Sequence, residues 1–131
     1  MVKNLILHLG DTKTGSTALQ SVLKSGQYDL PGHSVFYVGE GRQLNHNHLA
    51  HALFRKAHFD RRPIRFKKVY SGLQESNADY GIISAEHFQK VDPALLRQEM
   101  ERHWPDLAAG CRLIAYVRPH AEKLLSIYSE Q

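Results

Sequence analysis

An α/β fold, a three-layer sandwich around a mostly parallel sheet, is predicted by three features of the chain. Short apolar stretches at residues 5–9, 34–38, 80–84 and 113–117 suit strands and are too short for helices. Between them lie segments with apolar residues at helical spacing, so strands and helices alternate, the pattern that builds parallel sheets. The first strand also runs through a glycine-bearing turn straight into a helix, the order in which such sheets present an anion-binding loop.

The elements follow in order. Leu5-Ile6-Leu7-His8-Leu9 is the first strand, and the helix after its turn covers residues 16–25. Pro31-Gly32 marks a turn, and Ser34-Val35-Phe36-Tyr37-Val38 is the second strand, bounded by Gly39 and Gly41. In the polar crossover, Leu49, Ala52, Leu53 and Ala57 lie at helical spacing, and a further helix is expected over residues 66–75. Tyr80-Gly81-Ile82-Ile83-Ser84 is a buried strand. Asp92 caps a helix that starts at Pro93, turns Leu95, Leu96 and Met100 inward, and ends at Trp104-Pro105. Leu113-Ile114-Ala115-Tyr116-Val117 is the last strand. No repeat, low-complexity segment or long linker divides residues 1–131, so one domain is expected.

Composition narrows the function classes. The chain is 42% hydrophobic, with no apolar run near the ~18 residues of a membrane span. Its first apolar stretch is too short for a signal-peptide core. The single cysteine, Cys111, forms no internal disulfide and is expected to be inert at a strand edge, so a reducing cytoplasm is the expected location. A formal net charge of +4 suits a polyanionic ligand but is weak evidence alone. Arg61, Arg62, Arg65, Lys67 and Lys68 can line a cleft for an acidic substrate, contact nucleic acid, or form a solvated helix face; the last reading is favoured. No aromatic platform interleaves them, so no nucleic-acid partner is expected. His46, His48 and His51 invite a metal hypothesis, but no carboxylate or cysteine completes a ligand set, and no metal is expected.

Lys13-Thr14-Gly15-Ser16-Thr17 carries the chemistry of the first turn. Gly10 and Gly15 let the backbone curl, so that successive N–H groups and the positive end of the next helix can point at one phosphate. A nucleoside-triphosphatase loop places lysine directly after its second glycine, whereas here Ser16 follows Gly15 and Lys13 precedes it by two positions. No apolar run ending in aspartate follows to help hold magnesium, so a phosphate-loop kinase is the weaker reading.

This order resembles the loop that binds the 5′-phosphate in sulfotransferases using 3′-phosphoadenosine 5′-phosphosulfate, and the flanking His8-Leu9-Gly10-Asp11-Thr12 and Leu19-Gln20 extend the resemblance. In that family a strand-end arginine and a serine eight positions later clasp the donor's 3′-phosphate; Arg118 and Ser126 match this spacing. A fixed guanidinium fork and a hydroxyl on one helix face suit that task. Bacterial and carbohydrate sulfotransferase-like sequences often carry serine and glutamate at a strand end, as Ser84 and Glu86 stand here. Glu86 is the first candidate for general base and His87 its rival.

The resemblance implies a nucleotide-kinase-like phosphate-loop fold with strand order two, three, one, four. It implies in-line transfer of a sulfuryl group to a hydroxyl, or an amine, of a small-molecule or carbohydrate acceptor. Thr14, Gly15, Ser16 and Thr17 would cradle the 5′-phosphate, Lys13 would stabilise charge on the bridging oxygen, and no metal would be required. Asn45-His46 or Asn47-His48 matches an element that meets the acceptor in similar sequences. The family normally continues past the helix of Ser126 to a basic, glycine-containing segment that completes the adenine pocket, so the chain is expected to be the amino-terminal portion of such a domain. A noncatalytic nucleotide-binding fragment or interaction module is the alternative.

Overall fold

The computed structural model describes residues 1–9, 16–37, 39–40 and 42–115. Alternation of Leu5, Leu7 and Leu9 with Ile6 and His8 builds β1 (Asn4–Leu9), and a longer apolar run builds β3 (Tyr80–Ala85) beside it. The outer strands are β2 (Val35–Phe36) and β4 (Arg112–Ala115). All pairings are parallel, in the order β2-β3-β1-β4. The sequence thus predicts the α/β class and the parallel sheet correctly.

Two glycines shape the sheet edge. Gly39 has φ +78°, and a Cβ there would lie 2.4 Å from the Gln43 carbonyl oxygen, so only glycine turns the chain away after two strand residues. This makes β2 shorter than the five residues expected, and His46 takes over its role. The His46 N–H donates to the Ser84 carbonyl at 2.8 Å, and the Ser84 N–H donates to His46 Nδ1 at 3.1 Å, continuing the ladder of β3. At Gly81 the missing side chain lets Leu73 and Val2 lie against the strand, where a Cβ would come within 2.7 and 3.0 Å of them.

The helices are α1 (Ser16–Ser25), α2 (Asn47–Phe54), α3 (Arg62–Glu75), α4 (Pro93–His103) and α5 (Pro105–Ala108). Leu5, Leu7, Ile83 and Ala85 share one sheet face and form the core with Leu49 and Leu53 of α2, Phe66 and Leu73 of α3, Leu96 and Met100 of α4, and Trp104. His8 and Ser84 point to the opposite face, where α1 meets them through Gln20.

Local signals explain the helix ends. Asp92 caps α4, its carboxylate accepting from the Ala94 N–H at 3.1 Å. The expected inner face of α4 holds for Leu96 and Met100, while Leu95 is half-buried and Glu99 is buried instead. Glu99 is paired with His103 at 3.2 Å, Arg62 at 3.6 Å and Arg102 at 3.8 Å, which makes its burial tolerable. A 3₁₀ turn at Lys56–Arg61 leads into α3, which starts four residues before the expected position. Pro63 suits a first turn, where no N–H is needed, and Arg62 donates to the Ala52 carbonyl at 2.8 Å, closing α2 while opening α3. Cys111 lies just before β4, and burial pushes its thiol up, away from the reactive thiolate.

Candidate functional site

The parallel register sets the carboxyl ends of three strands level. Leu9, the last residue of β1, pairs with Ala85 of β3 on one side and Ala115 of β4 on the other. The chain therefore leaves β1 towards Gly10, β3 into Glu86, and β4 towards Arg118 from one edge of the sheet. Ligands of open parallel sheets bind at such edges. Ser16 is the first residue of α1 and Thr17 is exposed beside it. Lys13, Thr14, Gly15, Arg118 and Ser126 lie outside the described residues.

Glu86 and His87 open a short 3₁₀ turn, Glu86–Lys90, directly at the end of β3. Glu86 is half-buried and makes no hydrogen bond or ion pair among the described residues. His87 is held on two sides: its Nδ1 lies 2.6 Å from His51 Nε2, and its backbone N–H donates to Asn47 Oδ1 at 3.4 Å. Burial, and then the positive charges of Lys90 and Arg55, lower the His87 pKa. Burial and the neighbouring Arg55, His87, His48 and His58 bring His51 down to about 4. At neutral pH both rings are uncharged, so one ring donates its N–H and the other accepts. His87 Nε2 keeps no hydrogen-bond partner among the described residues.

Behind this edge lies a buried polar triad. Gln20 Nε2 donates to Ser84 Oγ at 2.9 Å, and Ser84 Oγ lies 2.7 Å from His8 Nδ1. The Ser84 oxygen accepts from Gln20, the His8 tautomer sets which way the second bond runs, and burial lowers the His8 pKa. The triad ties α1, β1 and β3 together and fixes where α1 begins relative to the strand ends. His46, brought down to about 4 by burial, acts as a neutral acceptor and adds the crossover to the same frame.

Glu40 stands apart from every other carboxylate described. It is 4% exposed, yet neither oxygen has a side-chain hydrogen-bond partner among the described residues, and His48 Nδ1 lies 3.7 Å from its carboxyl. Burial pushes its carboxyl up to about 7, offset in part by Arg65, the Leu49 amide and Lys68. It lines a cavity of about 170 Å³ with Phe36, His46, Lys68 and Leu73.

The three crossover histidines do not converge. His46 precedes α2 and bonds Ser84, whereas His48 and His51 sit together on the helix with ring centres 6.3 Å apart. Among the described residues no three His, Cys, Asp or Glu side chains are grouped to hold a metal. Of the two Asn-His pairs, Asn47 reaches the candidate base through His87, while Asn45 bonds the Asn47 N–H at 3.0 Å and shapes the helix start.

The sequence reading weighs His51 as a metal ligand and Gln20 as part of the string flanking the loop, neither as a partner of the strand-end residues, and it passes over Glu40. The burial of Glu40 left no trace, because it depends on the turn at Gly39. No family model matches the chain, and neither a curated protein nor a solved structure matches it.

Proposed function

We propose that the chain carries the donor-binding residues of a sulfotransferase with a three-layer, phosphate-loop kinase-like fold. It would transfer a sulfuryl group from 3′-phosphoadenosine 5′-phosphosulfate to an acceptor hydroxyl, a carbohydrate being the favoured acceptor. The observation that carries this reading is the parallel order β2-β3-β1-β4, in which the strand before the lysine loop runs between the strand ending at Glu86 and His87 and the strand leading to Arg118.

The chemistry asks little covalent work of the protein. Backbone N–H groups of Thr14 to Thr17 and the start of α1 hold the 5′-phosphate. Arg118 and Ser126 hold the 3′-phosphate. As the bond from sulfur to the bridging oxygen breaks and the acceptor oxygen bonds to sulfur, Lys13 neutralises the charge left on the bridging oxygen. The acceptor proton passes to the base at the end of β3, and the 3′,5′-bisphosphate leaves.

Glu86 and His87, which open the turn after β3, are the two candidates for that base. The geometry supports His87 better, because it is uncharged, oriented by His51, and has Nε2 without a partner among the described residues. Glu86 then supports a positive charge on His87 once the proton has been taken.

Magnesium separates this reading from a kinase. The 3′,5′-bisphosphate is expected to bind in the presence of a chelator, with ATP no better bound when magnesium is added. ATP binding that appears only with magnesium would replace the proposal by the kinase reading, and donor binding without transfer to any acceptor would favour the noncatalytic module.

A further inference from the structure

A second cationic pocket lies beside the candidate base. A cavity of about 100 Å³ is lined by His48, His51, Ala52, His58, Arg61 and Arg65. His48 and His51 come from consecutive turns of α2, His58 and Arg61 from the 3₁₀ turn, and Arg65 from the first turn of α3. Arg61 and Arg65 supply fixed positive charge, the three histidines supply ring nitrogens, and no carboxylate lines the cavity.

Side-chain partners divide the five. His48 Nε2 lies 2.8 Å from Gln43 Nε2, and its Nδ1 faces the Glu40 carboxyl at 3.7 Å, beyond hydrogen-bond reach. His51 is committed through Nε2 to His87. The side chains of His58, Arg61 and Arg65 make no hydrogen bond and no ion pair among the described residues, although His58 and Arg65 are half-buried. The adjacent Arg62 shows the contrast, since it spends its guanidinium on the carbonyls of α2 and on Glu99. Nearby Arg55 and Lys68 add to the positive field and Glu40 opposes it, but Glu40 makes no ion pair with Arg65. The Arg61 and Arg65 guanidinium groups line one cavity without a carboxylate and repel one another, and an anion removes that repulsion.

We propose that His58, Arg61 and Arg65 form an oxyanion site, separate from the lysine loop, that takes a sulfate, phosphate or carboxylate group. Resting on the transfer reading above, that group belongs to the acceptor: because His51 lines the pocket and bonds His87, an anionic substituent held here sets a neighbouring hydroxyl of the same sugar towards the base. The acceptor is therefore an acidic saccharide rather than a neutral one.

The test is a titration of the full chain with inorganic sulfate, following the imidazole ¹⁵N signals of His51 and His58 by NMR. A saturable shift of both is expected, retained in Lys13→Ala and weakened about tenfold or more in Arg61→Ala/Arg65→Ala, since removing one charge-assisted hydrogen bond weakens binding by about that factor. Unmoved histidine signals, or a response unchanged in the double variant, would overturn the site. Glucose 6-sulfate and glucuronate are then compared with glucose. Binding of the two acidic sugars but not glucose supports the acceptor assignment. A response to inorganic sulfate alone overturns that assignment and leaves a free-anion site. Because neither readout needs turnover or donor, failure here is distinct from failure of the donor-site reading.

Discussion

Glu40 and His46 have opposite pH dependences that partly cancel. The Glu40 carboxyl titrates at 4.5 when free and about 7 in the fold, so the folded state keeps a proton that the unfolded chain has released. Its contribution is full below pH 4.5 and is lost as pH rises through 7, amounting to about 3 kcal/mol. His46 titrates at 6.5 when free and about 4 in the fold, so its contribution is full above pH 6.5 and is lost as pH falls through 4; His51 behaves alike. Glu40→Gln is therefore expected to stabilise the chain by up to about 3 kcal/mol at pH 8, with the gain vanishing near pH 4. Urea melts across that range measure it, and a variant equally or less stable at pH 8 would show that the carboxylate is not strained. For the lysine loop, Lys13→Ala should raise the barrier to transfer by about 3 kcal/mol, comparable with losing one strong oxyanion donor. A turnover rate close to that of the parent chain would remove Lys13 from the chemistry.

Element packing depends on a few close approaches. A Gly81→Ala methyl would press on Leu73 and Val2, both 2% exposed, and is expected to cost about 1–3 kcal/mol. Truncating Leu73 to alanine in the same chain should relieve the clash, so the double variant is destabilised by less than the sum of the two single effects. Strict additivity in denaturant melts would place the Gly81 approach outside the energetics of packing.

These same approaches mark what was legible in the sequence. β1, α1, β3 and the Asp92 cap could be read because each rests on local information: a period, a cap, a turn residue. The early start of α3 could not, since Arg62 joins it through carbonyls on another helix. β2 was overread because its pairing ends where the Gly39 turn forces it to, and a histidine ten residues on continues the ladder. At the site, the position of Glu86 and His87 at a strand end follows from the apolar run before them. The pairing of His51 with His87, the Gln20 triad and the buried Glu40 arise from tertiary packing and carry no sequence spacing.

At the scale of the whole molecule, the proposed function needs a 5′-phosphate loop, a base and a 3′-phosphate clamp on one edge of the parallel sheet. Because Leu9 is level with both Ala85 and Ala115, the three strand exits open on the same side, and the proposed function requires a ligand with two separate phosphates to bind better than one with a single phosphate. The most direct measurement is a calorimetric titration, without magnesium, of the chain with 3′-phosphoadenosine 5′-phosphate and with AMP, repeated in Arg118→Ala. Tighter binding of the bisphosphate, with the preference abolished in the variant, is the predicted result. Equal affinity for the two nucleotides, or no binding of either, would contradict the donor site.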